Sequence, residues 1–195
     1  MKNLLSLLLL FITFNIQAQT TYFISPDGND ATGTGTSANP WKTLYKACGS
    51  VTTSGSIIHV NAGTYLENTR CTLSAGVSIE GEGTSSIITN TSLTSRINYG
   101  PNGSNGDAII NLVSSSVVDG SQEIRNLKFD GSNLTCSHAI YIMNRHNVKI
   151  HHCTFVNFNY CAVAWWASGT GDDYPPATRL TGSEFHNNTV TNCAG

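Results

Sequence analysis

One frame of alternating residues occurs three times in the second half of this chain, and it constrains the fold more than any other feature. Placing Ile124 on Ile150, a shift of 26 residues, sets E-I-R-N-L-K-F over K-I-H-H-C-T-F. Placing Phe185 on Ile150, a shift of 35, sets E-F-H-N-N-T-V on the same frame. In each copy an apolar residue is followed two places on by a polar one (Asn126, His152, Asn187). The frame then closes on an apolar side chain (Phe129, Phe155, Val190). Units of about this length mark an array in which each copy buries its apolar face only against its neighbours. The spacing predicts stacked parallel passes, with Val148 and Ile150 turned inward and Lys149 and His151 outward. Ile140 with Ile142, and Val163 with Trp165, are expected to do the same on a second sheet. Asn126 and Asn187, with His152 on the middle rung, are expected to form an internal ladder that satisfies buried turn groups.

The opening residues M-K-N-L-L-S-L-L-L-L-F-I-T-F-N-I-Q-A (1–18) read as a secretory signal with a cut before Gln19. The apolar run is too short for a comfortable membrane span, so no span is expected after its removal. Removal deletes only Lys2 among the charged residues. The mature chain then has nine basic and twelve acidic side chains, net −3, which argues against a nucleic-acid partner held through phosphates. Six cysteines lie beyond the signal, and an even count in an oxidising compartment permits disulfides. Low charge with abundant Asn, Ser, Thr and Gly suits β-structure with polar turns.

Residues 19–55 read as a strand from Thr21, a turn-rich loop, and a helix capped by Asn39 that begins at Pro40. Trp41, Leu44, Tyr45 and Cys48 fall on one stripe of that helix. It is the expected lid on the first apolar cross-section. Residues 56–195 read as short strands with Gly turns, and no helix-length pattern lies between them. The chain stops inside a copy of the frame, so it is expected to be the front part of a longer protein.

Two features resemble the right-handed parallel β-helix proteins of the pectate-lyase superfamily. They are the opening Y-F-I-S-P-D-G-N-D with N-P-W-K-T-L-Y-K-A and A-G-T-Y, and the interior segments Glu123–Phe129 and Ser137–Phe155. The resemblance implies an all-β, right-handed parallel β-helix with a capped entrance. It implies a secreted or cell-surface monomer whose partner is a polysaccharide. The same fold serves lyases, hydrolases, epimerases and adhesins, so activity has to be argued from the residues.

Calcium-dependent lyases of that family carry carboxylates where this chain has His138 and His151. Their next acidic pair would fall near Tyr160 and Ala164. Calcium needs several oxygen ligands, so it could enter only through residues outside this stretch, and no cofactor is assigned. His146, His151 and His152 suggest no metal site, because neighbours in a strand are expected to face apart.

What remains on the matched stretch is Arg145, Lys149 and His151 as a catalytic set, with His146 and Asp130 nearby. A base beside a cation is sufficient for β-elimination from a uronate. The same side chains also fit the outward half of alternating strands. The loop that lengthens one copy carries Asp172, Asp173 and Tyr174 beside Trp166. These could bind a glycan, or supply the carboxylates of a glycoside hydrolase. A non-catalytic adhesion module is the further alternative. Cys136 and Cys161, in corresponding loops, are the expected disulfide.

Overall fold

The computed structural model describes residues 19–90, 108–132, 138–159, 161–166 and 181–193. Its strands are β1 (Thr21–Ile24), β2 (Ile57–Val60), β3 (Gly63–Leu66), β4 (Cys71–Thr72), β5 (Ser78–Gly81), β6 (Ser86–Thr89) and β7 (Ala108–Arg125). They continue with β8 (Lys128–Asp130), β9 (His138–His151), β10 (Thr154–Val156), β11 (Val163–Trp166), β12 (Glu184–His186) and β13 (Thr189–Thr191). One helix, α1 (Leu44–Ser50), lies between β1 and β2.

Every pairing between these strands is parallel. The larger sheet has eight strands in the path β1-β2-β5-β7-β9-β11, with β4 on β7 and β12 on β9. The smaller has the order β3-β6-β8-β10-β13. The chain leaves the larger sheet for the smaller after β2, β5, β7, β9 and β12, so each pass delivers strand to both. The expected alignments are the observed registers. Ile124 pairs with Ile150 and Phe185 with Ile150, while Phe129, Phe155 and Val190 pair in turn.

Register becomes core directly. Ile58, Ile79, Ile124 and Ile150 stand in one column of the larger sheet and are fully buried. Each contributes roughly 1.5–3 kcal/mol by leaving water, and branching at Cβ suits the extended backbone. Tyr65, Ile88, Phe129 and Phe155 form the opposing column. The Phe129 and Phe155 rings stack at 5.2 Å with planes 5° apart.

Four expectations need correction. First, the helix begins at Leu44, not Pro40. Thr43 caps it by accepting from Lys46 N, and the Asp30 carboxylate takes the N–H groups of Lys42 and Thr43. Glu67 takes those of Leu44 (2.5 Å) and Tyr45 (3.1 Å). These carboxylates satisfy the amides that a helix start leaves unpaired, so Asn39 has no capping role. Trp41 lies in extended backbone bridged to Ile24, and Tyr45 points to solvent. The buried stripe is Leu44, Ala47 and Cys48.

Second, Ile140 and Ile142 do not start a separate sheet from Val148 and Ile150. Both pairs lie on β9, a 14-residue strand that stays within the larger sheet. Third, Asn126, His152 and Asn187 are not an internal amide ladder. They adopt left-handed backbone, φ 56°, 55° and 55°, at the same bend of successive passes. Asn tolerates that conformation better than residues with bulkier Cβ substituents. At this bend an amide that bridges passes is the next residue of the last copy. Asn188 donates to the Ile150 carbonyl and accepts from Cys153 N, both at 2.9 Å. Fourth, the bend at His152 ends strand alternation, so His151 and His152 converge instead of facing apart. Their Nδ1 atoms lie 2.8 Å apart.

Candidate functional site

The registers that stack isoleucines inside must stack their neighbours outside. Phe23, His59, Glu80, Arg125, His151 and His186 occupy one outer column of the larger sheet. Glu123, Lys149 and Glu184 form a second column two residues earlier on the last three passes. The result is a band of alternating charge that crosses five passes of chain.

Its contacts run continuously. His59 Nδ1 lies 3.2 Å from Glu80 Oε1, and its Nε2 lies 3.5 Å from Glu82 Oε1. Arg125 donates through Nη2 to Glu80 at 2.6 Å and through Nη1 to Glu123. Glu123 Oε2 is 3.9 Å from His151 Nε2. The His151 and His186 rings stack at 5.0 Å with planes 9° apart. Glu184 ends the band between His186 Nε2 and Lys149 Nζ, each at 3.5 Å.

This environment sets protonation. Burial opposes ionisation of Glu80, but hydrogen bonds from His59 and Arg125, with their charges, outweigh it and hold the carboxyl below its ordinary value. Burial pushes the His151 imidazole down, and the neighbouring His186, His152 and Arg125 push the same way against the pull of Glu123. His151 is therefore a neutral imidazole at neutral pH. It can accept a proton.

Beside the band lies a groove of about 420 Å3. Glu123, Arg125 and Lys149 line one side of it. Turns at Gly55, Gly76, Ser121, Asn147 and Gly182, all with positive φ, form part of the remaining lining, and His151 is not among the lining residues. Glycine suits position 182, because the backbone there is left-handed, φ 67°.

The three catalytic expectations separate. Lys149 and His151 both lie in the band. Arg145 does not: it is 4% exposed and donates into the interior. Its Nη1 reaches the Leu73 carbonyl at 2.7 Å and Gln122 Oε1 at 3.0 Å, Nη2 reaches the Val113 carbonyl at 3.0 Å, and Nε reaches Ser114 Oγ at 3.0 Å. Gln122 in turn donates to the carbonyls of Ser74 and Val77, both at 2.8 Å. Arg145 thus pins three passes together from within. Burial lowers its pKa to about 10, which still leaves it charged at neutral pH. The cation that stands beside His151 and Lys149 is Arg125. The frame E-I-R, K-I-H, E-F-H already places Arg125, His151 and His186 in one register, and that was the signal available in the sequence.

Asp172, Asp173 and Tyr174 lie outside the described residues, as does Cys136 of the expected disulfide. Trp166 ends β11, but its side chain is likewise outside them. Asp130 pairs with Lys128 at 3.7 Å and accepts from Asn157 Nδ2 at 3.1 Å, on the smaller sheet away from the band. Among the described residues, no group of three or more His, Cys, Asp or Glu side chains is placed to hold a metal ion. No described helix is long and apolar enough to cross a membrane.

No family model matches this sequence, and no curated protein does. Among solved structures, the chain is similar to a rhamnogalacturonan lyase, with 15% identity and a TM-score of 0.50. The likeness covers 88% of this chain and 50% of that one, so this chain spans about half the length of the structure it matches. At that identity the likeness concerns the fold.

Proposed function

We propose that this chain is a right-handed parallel β-helix, entered beneath the lid formed by α1, of an exported protein that binds and cleaves a uronate-containing polysaccharide by β-elimination. The single observation that carries this reading is a groove lined by Arg125 and Lys149, with the His151 imidazole next to Arg125 in the same outer column. Elimination removes the proton on the carbon next to the carboxylate and expels the glycosidic oxygen two atoms on. It needs a base and positive charge over the developing enolate. In this reading Arg125 and Lys149 receive the carboxylate and His151 takes the proton. The groove is open along the stack of passes, which suits an extended chain of sugars rather than a small molecule.

A second reading has its own observation. Each charge in the band has an opposite charge beside it, with Arg125 held between Glu80 and Glu123. A band of this kind also serves a non-catalytic surface module. One assay separates the two. The full chain is incubated with polygalacturonate, rhamnogalacturonan, alginate and glycosaminoglycans, and the ultraviolet absorbance of the unsaturated uronate product is followed. Elimination predicts rising absorbance on one of them that His151→Ala abolishes. A flat trace with retained glycan binding assigns the module. A rise unaffected by His151→Ala places the base elsewhere.

A further inference from the structure

Outside the charged band, two buried thiols lie where the helix packs on the larger sheet. Cys48 lies on α1 and Cys71 on β4, 2% and 0% exposed, within one apolar cluster. Both are free thiols in this structure. The two elements pack directly on each other. The hydrogen bonds of Cys71 are long, 3.7 Å to Glu67 Oε2 and 3.7 Å to the Thr69 carbonyl. The other described cysteines are engaged elsewhere. Cys153 donates to the Ile124 and His151 carbonyls, Cys193 to those of Phe155 and Thr191, and Cys161 lies 3.3 Å from His138 Nδ1.

We infer that Cys48 and Cys71 form a disulfide that locks α1 onto the larger sheet. Glu67 already ties the helix to the sheet through the amides of Leu44 and Tyr45, four residues before Cys71. The covalent link completes a latch whose polar half is built. Its chemistry requires a disulfide donor, such as oxidised glutathione or an oxidised thiol oxidoreductase. One cysteine attacks the donor as thiolate, forms a mixed disulfide and releases the first donor sulfur. The second cysteine attacks that mixed disulfide and releases the other. Two protons leave the protein thiols, and two electrons reduce the donor disulfide to two thiols. In the folded chain neither sulfur meets solvent, so the bond forms before α1 closes and resists reduction afterwards.

The test uses the full chain refolded in a glutathione redox mixture, unfolded without reductant, alkylated and mapped by mass spectrometry. A peptide pair joined through Cys48 and Cys71, two hydrogens lighter than its parts and released by reductant, is expected. Alkylation of both residues without reductant, or linkage of either to another cysteine, overturns the inference. Melting supplies the second readout. The bond spans 23 residues of sequence, so reduction should lower the Tm of the unmodified chain by roughly 5–12 °C. The Cys48→Ala, Cys71→Ala double variant should lose this part of the reductant-dependent shift. An unmodified chain insensitive to reductant, or a double variant equally sensitive, sinks the proposal.

Discussion

Replacing Arg145 with Met tests whether this side chain holds the fold or performs chemistry. The substitution keeps the length of the stem and removes the guanidinium. Two of the acceptors it serves, the Leu73 carbonyl and Gln122 Oε1, are reached through fully buried hydrogen bonds. No water replaces the donor there, and each orphaned acceptor costs about 1–3 kcal/mol. The Val113 carbonyl and Ser114 Oγ are only partly buried and can turn to solvent. Relief from burying a cation offsets part of the loss. The net destabilisation should be about 3 kcal/mol. Lys149→Met is the control: its pair with Glu184 is 43% and 50% exposed, and such pairs are worth about 0–1 kcal/mol. Urea unfolding of the three proteins, followed by circular dichroism, reads both values. An Arg145→Met protein within about 1 kcal/mol of the unmodified chain would refute the pin. Loss of lyase activity in that same stable protein would return Arg145 to the catalytic set.

Two further expectations concern protonation and backbone. His151 has a folded pKa below its ordinary 6.5, so the unfolded chain binds its proton first as pH falls. Its contribution is complete above pH 6.5 and is lost as pH drops below it. Glu80, held below 4.5, contributes above that value and loses it only at lower pH. Glu67, raised by burial, acts in the opposite direction, so the His151 step is read from the difference between the unmodified chain and His151→Gln. A difference that does not change between pH 7 and 5 contradicts the assignment. Gly131→Ala should destabilise by about 2 kcal/mol or more, because its Cβ would stand 2.3 Å from the Asn157 carbonyl oxygen. Gly49→Ala in α1 meets nothing within 4 Å and should stabilise by about 0.5–1 kcal/mol. Thermal melts of both variants check the sign, and equal shifts in one direction would contradict it.

Much of this architecture is legible in the order of residues, because a parallel register maps one pass onto the next without shuffling. Ile124, Ile150 and Phe185 can be aligned by eye, and the same alignment carries Arg125, His151 and His186 onto one column. Alternation then says which of them face out. Those statements are local, and local chemistry suffices for them. Where the chain leaves the strand, the sequence rules stop. Asn126 and Asn187 read as ladder amides because polar residues between strands need partners. Left-handed backbone had first claim on them, and Asn188 beside them does the bridging.

Arg145 shows the limit most clearly. Its neighbours on the chain, His146 and Lys149, are polar, and nothing local distinguishes it from them. Burial follows from Leu73, Val113 and Gln122, between 23 and 72 residues away, which converge on one corner of the stack. The capture of the helix start by Glu67 is likewise a product of packing. Periodicity by itself therefore determined the parallel all-β class, the register and the outward columns, since each depends only on a residue's place within its own pass. Tertiary structure decided which cation joins the band, which one is buried and which carboxylate captures the helix start, because those outcomes depend on distances between passes that no single stretch of sequence contains.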